Sequence, residues 1–264
     1  APRIDRPRTV ESTRGPDADA ADAGISRLAT RLGRARPTGR GIAVALVEAD
    51  EGGGRHQPDL AREEFGGITF VGAEPGDPSA HATMTAQRFF GDGPTAATGI
   101  DRVHLFSANA FLRDRGLKMG RPELPASLAG VRIISNSWVG DAGPASEEAR
   151  QRIDVLAARD GILIVAGLPN SGPLQPLVGG GWNVLQVGTN DAGHSGDRDR
   201  AGDGTGGDRP RLTAPGGATS AAAPVVSAAA AMLMEAAGNL ELSAVPEAER
   251  EIVRRLAGRP EVIT

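Results

Sequence analysis

Short apolar runs separated by turn residues dominate the hydropathy pattern. Ile42–Val47 is continuous and too short for a helix, as expected of a strand covered on both faces in a parallel sheet. Ile68–Val71, Val103–Ser107, Val131–Ile134, Ile162–Ala166 and Asn183–Val187 read as further strands. Helical spacing lies between them. Ile25, Leu28 and Leu32 share one face of a helix over Ile25–Leu32, and a second helix opens at Ser79 and runs to about Phe90. A third starts with Ser146 as its cap, with Glu147 and Glu148 in its first turn, Ile153 and Leu156 inward and Gly161 as its stop. A fourth begins at or beside Ser220, with Pro224 in its first turn, continues through Glu235 and stops near Gly238. A tail helix follows, roughly Pro246–Leu256. Asn109–Ala129, broken by Gly116, Gly120, Pro122 and Pro125, reads mostly as loop. Strands alternating with helices predict an α/β fold: three layers, with a doubly wound, mostly parallel sheet flanked by helices. The expected division is a loose arm and short helix over 1–38, then a single domain over 39–264.

Composition narrows the possible partners. The 264 residues carry a net charge of −4, so no basic field draws nucleic acid or acidic lipid. No apolar run approaches the roughly 20 residues of a membrane span. The absence of cysteine excludes disulfides and thiolate metal sites. With aromatics at only 3% and 37 glycines, the core must be built from Ala, Val, Ile and Leu. No cofactor is expected. Calcium is a weak candidate in the loop carrying Asp191, Asp197, Asp199, Asp203 and Asp208, whose spacing matches no full ligand set. No leader is visible at Ala1, and because a trimmed chain would have lost one, localisation stays open, as does oligomeric state.

Four residues fall where open α/β sheets place their chemistry. Glu48 closes the first buried strand, His81 lies in the first turn of a helix, Asn170 follows the fourth strand, and Ser220 stands at a helix start. An acid, a base, an amide donor and a hydroxyl are the parts of an acyl-transfer site. Asp50 is a rival acid on the same side of the strand. Taken alone, Ser220 reads first as a helix cap and only second as a nucleophile beside a helix N-terminus.

Local motifs sharpen this reading. Gly41-Ile42-Ala43-Val44-Ala45-Leu46-Val47-Glu48, His56-Gln57-Pro58-Asp59-Leu60, His81-Ala82-Thr83, Ile164–Gly172 and Gly217-Ala218-Thr219-Ser220-Ala221-Ala222-Ala223-Pro224 occur in that order. Together they resemble the subtilisin-like serine proteases over roughly Gly39 to Gly238. The resemblance implies a serine endopeptidase acting on a peptide or protein substrate. Ser220 would be the nucleophile, His81 the general base, Glu48 the acid that orients it, and Asn170 an oxyanion donor. It further implies that Ser135, Asn136, Ser137, Trp138, Val139 and Gly140 run as an extended edge against the substrate backbone. Departures are visible. Glu48 stands where the family has aspartate, moving the carboxylate about 1.5 Å along the chain. Leu168-Pro169 replaces a small pair before the asparagine, and Val139 replaces a glycine, so a narrow pocket is expected for the residue preceding the cut. A catalytically weak peptide-binding scaffold, or a dedicated peptide-processing or transpeptidase enzyme, are the alternatives.

Overall fold

Alternation along one strand sets the architecture. In a computed structural model, which describes residues 3–4, 23–172, 177–195 and 210–239, β2 (Ala43–Glu48) sends Val44 and Leu46 into one apolar cluster and Ala45 and Val47 into another. Successive side chains on a strand face opposite ways, so β2 is covered on both sides. The other strands are β1 (Arg3–Ile4), β3 (Thr69–Val71), β4 (Arg102–Ser107), β5 (Val131–Asn136), β6 (Gly140–Asp141), β7 (Leu163–Gly167), β8 (Val184–Thr189) and β9 (Leu212–Ala214). The helices are α1 (Ile25–Leu32), α2 (Ala80–Phe90), α3 (Ser146–Asp160) and α4 (Thr219–Asn239), with a short helical segment at Ala108–Ala110. Among the described residues, seven strands form one sheet in the order β3-β4-β2-β5-β7-β8-β9. Every pairing in it is parallel. Parallel pairing requires crossovers, which is why helices cover both faces.

One face packs on α2 and α4, whose Ala86, Phe89, Phe90, Ala222, Val225 and Ala228 share a cluster with Leu46, Leu105 and Ile133. The opposite face packs on α3 through Ala149, Ile153 and Leu156, against Ile134, Ile164 and Val184. The result is a three-layer α/β fold. Small residues let α4 approach closely. A Cβ on Gly167 would stand 3.0 Å from the Thr219 carbonyl oxygen, and one on Gly216 would stand 2.8 Å from the Ala222 nitrogen.

Several expectations are corrected. Asn109–Ala129 is more ordered than a loop: Phe111–Arg115 forms a π-helical turn, and Phe111, Leu112 and Leu117 are fully buried. The segment is held from a distance. Arg152 donates to the carbonyls of Leu117, Arg121 and Glu123, and Arg159 to those of Pro125 and Ala126. Ser146 is the first residue of α3 rather than its cap, its hydroxyl bonding Asp141. Pro224 lies in the second turn of α4 rather than its first. α4 is, at 21 residues, long and apolar enough by length and composition to cross a membrane, contrary to the sequence reading; 67% of its apolar window is buried inside the protein. The tail helix Pro246–Leu256, most of the arm, and Asp197, Asp199, Asp203 and Asp208 lie outside the described residues.

The turn before β2 hangs on one carboxylate. Glu235 Oε2 accepts from the backbone amides of Thr38 at 2.5 Å, Gly39 at 2.6 Å and Arg40 at 3.2 Å. Glu235→Ala leaves these donors without their charged acceptor and is expected to lower stability by about 2 kcal/mol in urea unfolding, against near-neutrality if water replaces the carboxylate.

Candidate active site

The carboxyl edge of the sheet gathers the candidate residues. The register places the ends of β2, β4 and β5 side by side, Glu48 opposite Ser107 and Val47 opposite Asn136. By alternation Glu48 faces the same side as Val44 and Leu46, the side that α2 covers. There its carboxylate is only 1% exposed and has two donors. Oε2 accepts from His81 Nδ1 at 2.9 Å, and Oε1 accepts from the Thr85 hydroxyl at 2.8 Å. Asp50 is engaged elsewhere: its two oxygens accept from the amides of Gly52 and Gly54 and shape the turn. Of the two acids, Glu48 contacts the histidine.

His81 owes its place to the start of α2. Ser79 caps the helix, its hydroxyl accepting from Ala82 N at 2.9 Å. The Glu51 carboxylate accepts from Ala80 N at 3.1 Å and His81 N at 3.4 Å, adding a negative charge at the positive helix end. A carboxylate only accepts, so the imidazole carries its hydrogen on Nδ1 and presents a lone pair at Nε2. That Nε2 is buried and has no hydrogen-bond partner among the described residues. Burial lowers the proton affinity of the ring, but the Glu48 charge, its hydrogen bond and the Glu51 charge outweigh burial and raise the pKa above the ordinary imidazole value.

Ser220 is the second residue of α4 and is buried, so it does not cap that helix. The capping contact comes from Asn170, whose Oδ1 accepts from Thr219 N at 2.9 Å. Thr219 also donates its hydroxyl to the Leu168 carbonyl. Asn170 is therefore tied to the turn that carries Ser220. Neither Asn170 Nδ2 nor the Ser220 N–H has an acceptor among the described residues. Pro224 removes the amide that would bond the Ser220 carbonyl one turn along. α2 and α4 share one apolar cluster, and His81 and Ser220 lie in their respective first turns. The Ser220 hydroxyl does not bond Nε2 here.

The expected substrate edge is shorter than the sequence reading. Ser135 and Asn136 belong to β5, paired on both sides by β2 and β7 and fully buried. The Ser135 hydroxyl meets Ser227, and Asn136 Nδ2 donates to the Val165 carbonyl. They have no free backbone edge for a substrate. Ser137, Trp138, Val139 and Gly140 lie beyond the sheet, and β6, which begins at Gly140, pairs antiparallel with β1 of the same chain. Leu168 is fully buried with its amide on the Val187 carbonyl, and the buried Pro169 accepts from Ser195 N. Among the described residues no group of three His, Cys, Asp or Glu is placed to hold a metal ion.

No family model and no curated protein matches this chain. Solved structures do match. One titled as the S41 psychrophilic protease is 18% identical with a TM-score of 0.55, covering 88% of this chain and 86% of its own. A structure of the subtilase cytotoxin SubAB assembly is 14% identical at a TM-score of 0.53, covering 86% and 83%. A lanthipeptide protease is 16% identical at 0.50, covering 84% and 83%. The fold is subtilisin-like.

Within this subtilisin-like frame, sequence reasoning missed Thr85 and Glu51. Thr85 could have been found from its position one helical turn after His81. Glu51, in a glycine-rich loop, gave no signal. Both bear on a measurable property. The His81 ring should titrate by NMR above the ordinary imidazole value, Glu51→Gln should lower that pKa, and Glu48→Gln should lower it further. Because the folded pKa is the higher one, this pair's contribution to stability is full below the unfolded imidazole pKa and is lost as pH rises through the folded value. A His81 pKa unmoved by either substitution would contradict the electrostatics described.

Proposed function

We propose that the chain is a serine endopeptidase in which Ser220 attacks a peptide carbonyl, His81 moves the proton and Glu48 holds the ring. One observation carries this reading: the buried Nδ1–Glu48 contact at 2.9 Å leaves a bare, unpartnered lone pair at Nε2. Such an atom is ready to accept a hydroxyl proton, and Ser220, in the first turn of α4, is the hydroxyl that this reading brings to it. As Ser220 Oγ bonds to the carbonyl carbon, Nε2 takes its proton and the carbonyl oxygen becomes an oxyanion. Asn170 Nδ2 and the Ser220 N–H are the donors assigned to that oxyanion, a role worth about 3 kcal/mol per side-chain donor. The imidazolium, stabilised by Glu48, then protonates the leaving amine. Water repeats the sequence on the acyl-enzyme.

A peptide-binding scaffold of the same fold is the second reading. It is favoured by the open Ser220–His81 contact, although hydrogen bonds of this kind often tighten only when substrate is bound. A fluorophosphonate probe separates the two. Wild type is expected to be labelled, with a rate that rises as pH passes through the His81 pKa, and Ser220→Ala is expected to remain unlabelled. Glu48→Gln should slow peptide turnover about 10³- to 10⁴-fold. No labelling of wild type at any pH where it is folded would leave the scaffold.

The substrate reading follows from the residues flanking Asn170. By the family resemblance, Leu168-Pro169 and Val139 stand where smaller residues are usual, and that bulk would narrow the pocket for the residue preceding the cut. Among peptides varied at the residue preceding the cut, Ala and Gly are expected to be cleaved fastest. A preference for Phe or Leu would contradict this.

A further inference from the structure

We propose that Thr85 is a positioning residue for the Glu48–His81 pair, its hydroxyl holding one carboxylate oxygen so that the other faces the ring. The inference rests on the reading of His81 and Ser220 as the reacting pair. A glutamate reaches its target through one more rotatable bond than an aspartate, so a single contact to His81 leaves its carboxylate free to swing. The second contact removes that freedom. Thr85 Oγ1 lies 2.8 Å from Glu48 Oε1 and 2.9 Å from the Ala82 carbonyl oxygen. The hydroxyl has one proton for two acceptors. Within an α-helix the Ala82 carbonyl already accepts from the amide four residues on. Glu48 Oε1 has no other donor among the described residues, so the Thr85 proton belongs to the carboxylate.

The placement depends on helix geometry. His81 and Thr85 are four residues apart on α2, hence on one face, and both point to the end of β2. The carboxylate is gripped at both oxygens by side chains of a single helix. Thr85 is fully buried, so no water substitutes for its hydroxyl. The other charged group beside the ring is Glu51, from the loop after β2, which bonds backbone amides and has no contact with Thr85.

The test compares Thr85→Val, which keeps shape and removes the donor, with Thr85→Ser, which keeps the donor. Two signals are read: the His81 Nδ1–H proton resonance by NMR, and the fluorophosphonate labelling rate across pH. With valine, the Nδ1–H resonance should broaden or shift as the carboxylate loosens, and labelling should slow about 10- to 100-fold. Serine should restore both. In a Glu48→Asp background the shortened acid no longer reaches Thr85, so adding Thr85→Val should change neither signal further. Should the valine variant not fold, Thr85→Ala against Thr85→Ser carries the same comparison. An unchanged Nδ1–H resonance in the donor-less variant, or a serine variant as impaired as the valine one, overturns the proposal. Because the NMR signal does not need turnover, a wild type that fails to label defeats the protease reading while Thr85 is still decided.

Discussion

A buried carboxylate and a buried imidazole in contact impose the main constraint on this fold. Either group alone in the core would cost several kcal/mol, and removing one partner of such a pair typically costs about 3–5 kcal/mol. The chain therefore has to bring the end of β2 and the start of α2 together reproducibly, and much of the intervening loop serves that end. The side chain of Gln57 donates to the Glu74 carbonyl and accepts from its amide, while the Gln57 carbonyl takes the Ser79 amide. Thr83 reaches back to the Asp59 amide. With Ser79 and Glu51 at the helix start, these bonds fix where the first turn of α2 begins, and with it the imidazole. A loop fastened at so many backbone groups also explains why Asp50 is not free to compete for the histidine.

Small side chains govern the second half of the site. With few aromatics to fill space, the core relies on close backbone approach, most evident where Gly167 and Gly216 meet the first turns of α4. That approach sets Ser220 near the sheet edge, and Asn170 completes it by capping the turn at Thr219. The same amide side chain is thus fixed at its oxygen by the helix start while its nitrogen stays available. One residue ties the segment after β7 to the start of α4, which a longer helix–sheet separation would not allow.

The sequence made the sheet legible because buried parallel strands leave short apolar runs, and β2, β4, β5, β7 and β8 each lie within a residue or two of such a run. Glu48 was visible for the same reason, as the polar residue on which a buried run ends. What it touches was less visible. Asp50 lies on the same side by strand alternation, yet it precedes a run of glycines and bonds two of their amides, a short-range turn pattern that could have removed it as a rival. Asn109–Ala129 was misread because its order comes from Arg152 and Arg159, some thirty residues away on α3, donating to its carbonyls; no local pattern encodes such bonds. Ser135 and Asn136 were taken for part of a free edge because the family resemblance was carried over the whole of Ser135–Gly140. The ladder continues through them, with the Ser135 hydroxyl bonded to Ser227 and Asn136 Nδ2 donating to the Val165 carbonyl.

Nε2 is one of six buried side-chain nitrogen or oxygen atoms without a hydrogen-bond partner among the described residues, and it belongs to a ring whose other nitrogen is held by a carboxylate. A histidine kept only to fill the core would be satisfied at both nitrogens, or replaced by an apolar residue of similar size, since a buried acceptor without a donor costs about 1–3 kcal/mol. Here one nitrogen is held by a carboxylate that is itself held by a threonine, and the other is left with nothing. Such an asymmetry persists only where surrounding contacts over-determine it, and the contacts around the start of α2 do so. An imidazole oriented in this way has its proton affinity raised and one ring nitrogen without a partner among the described residues. In the proposed reading the missing donor is the Ser220 hydroxyl, in the first turn of α4, where Asn170 has taken the capping role.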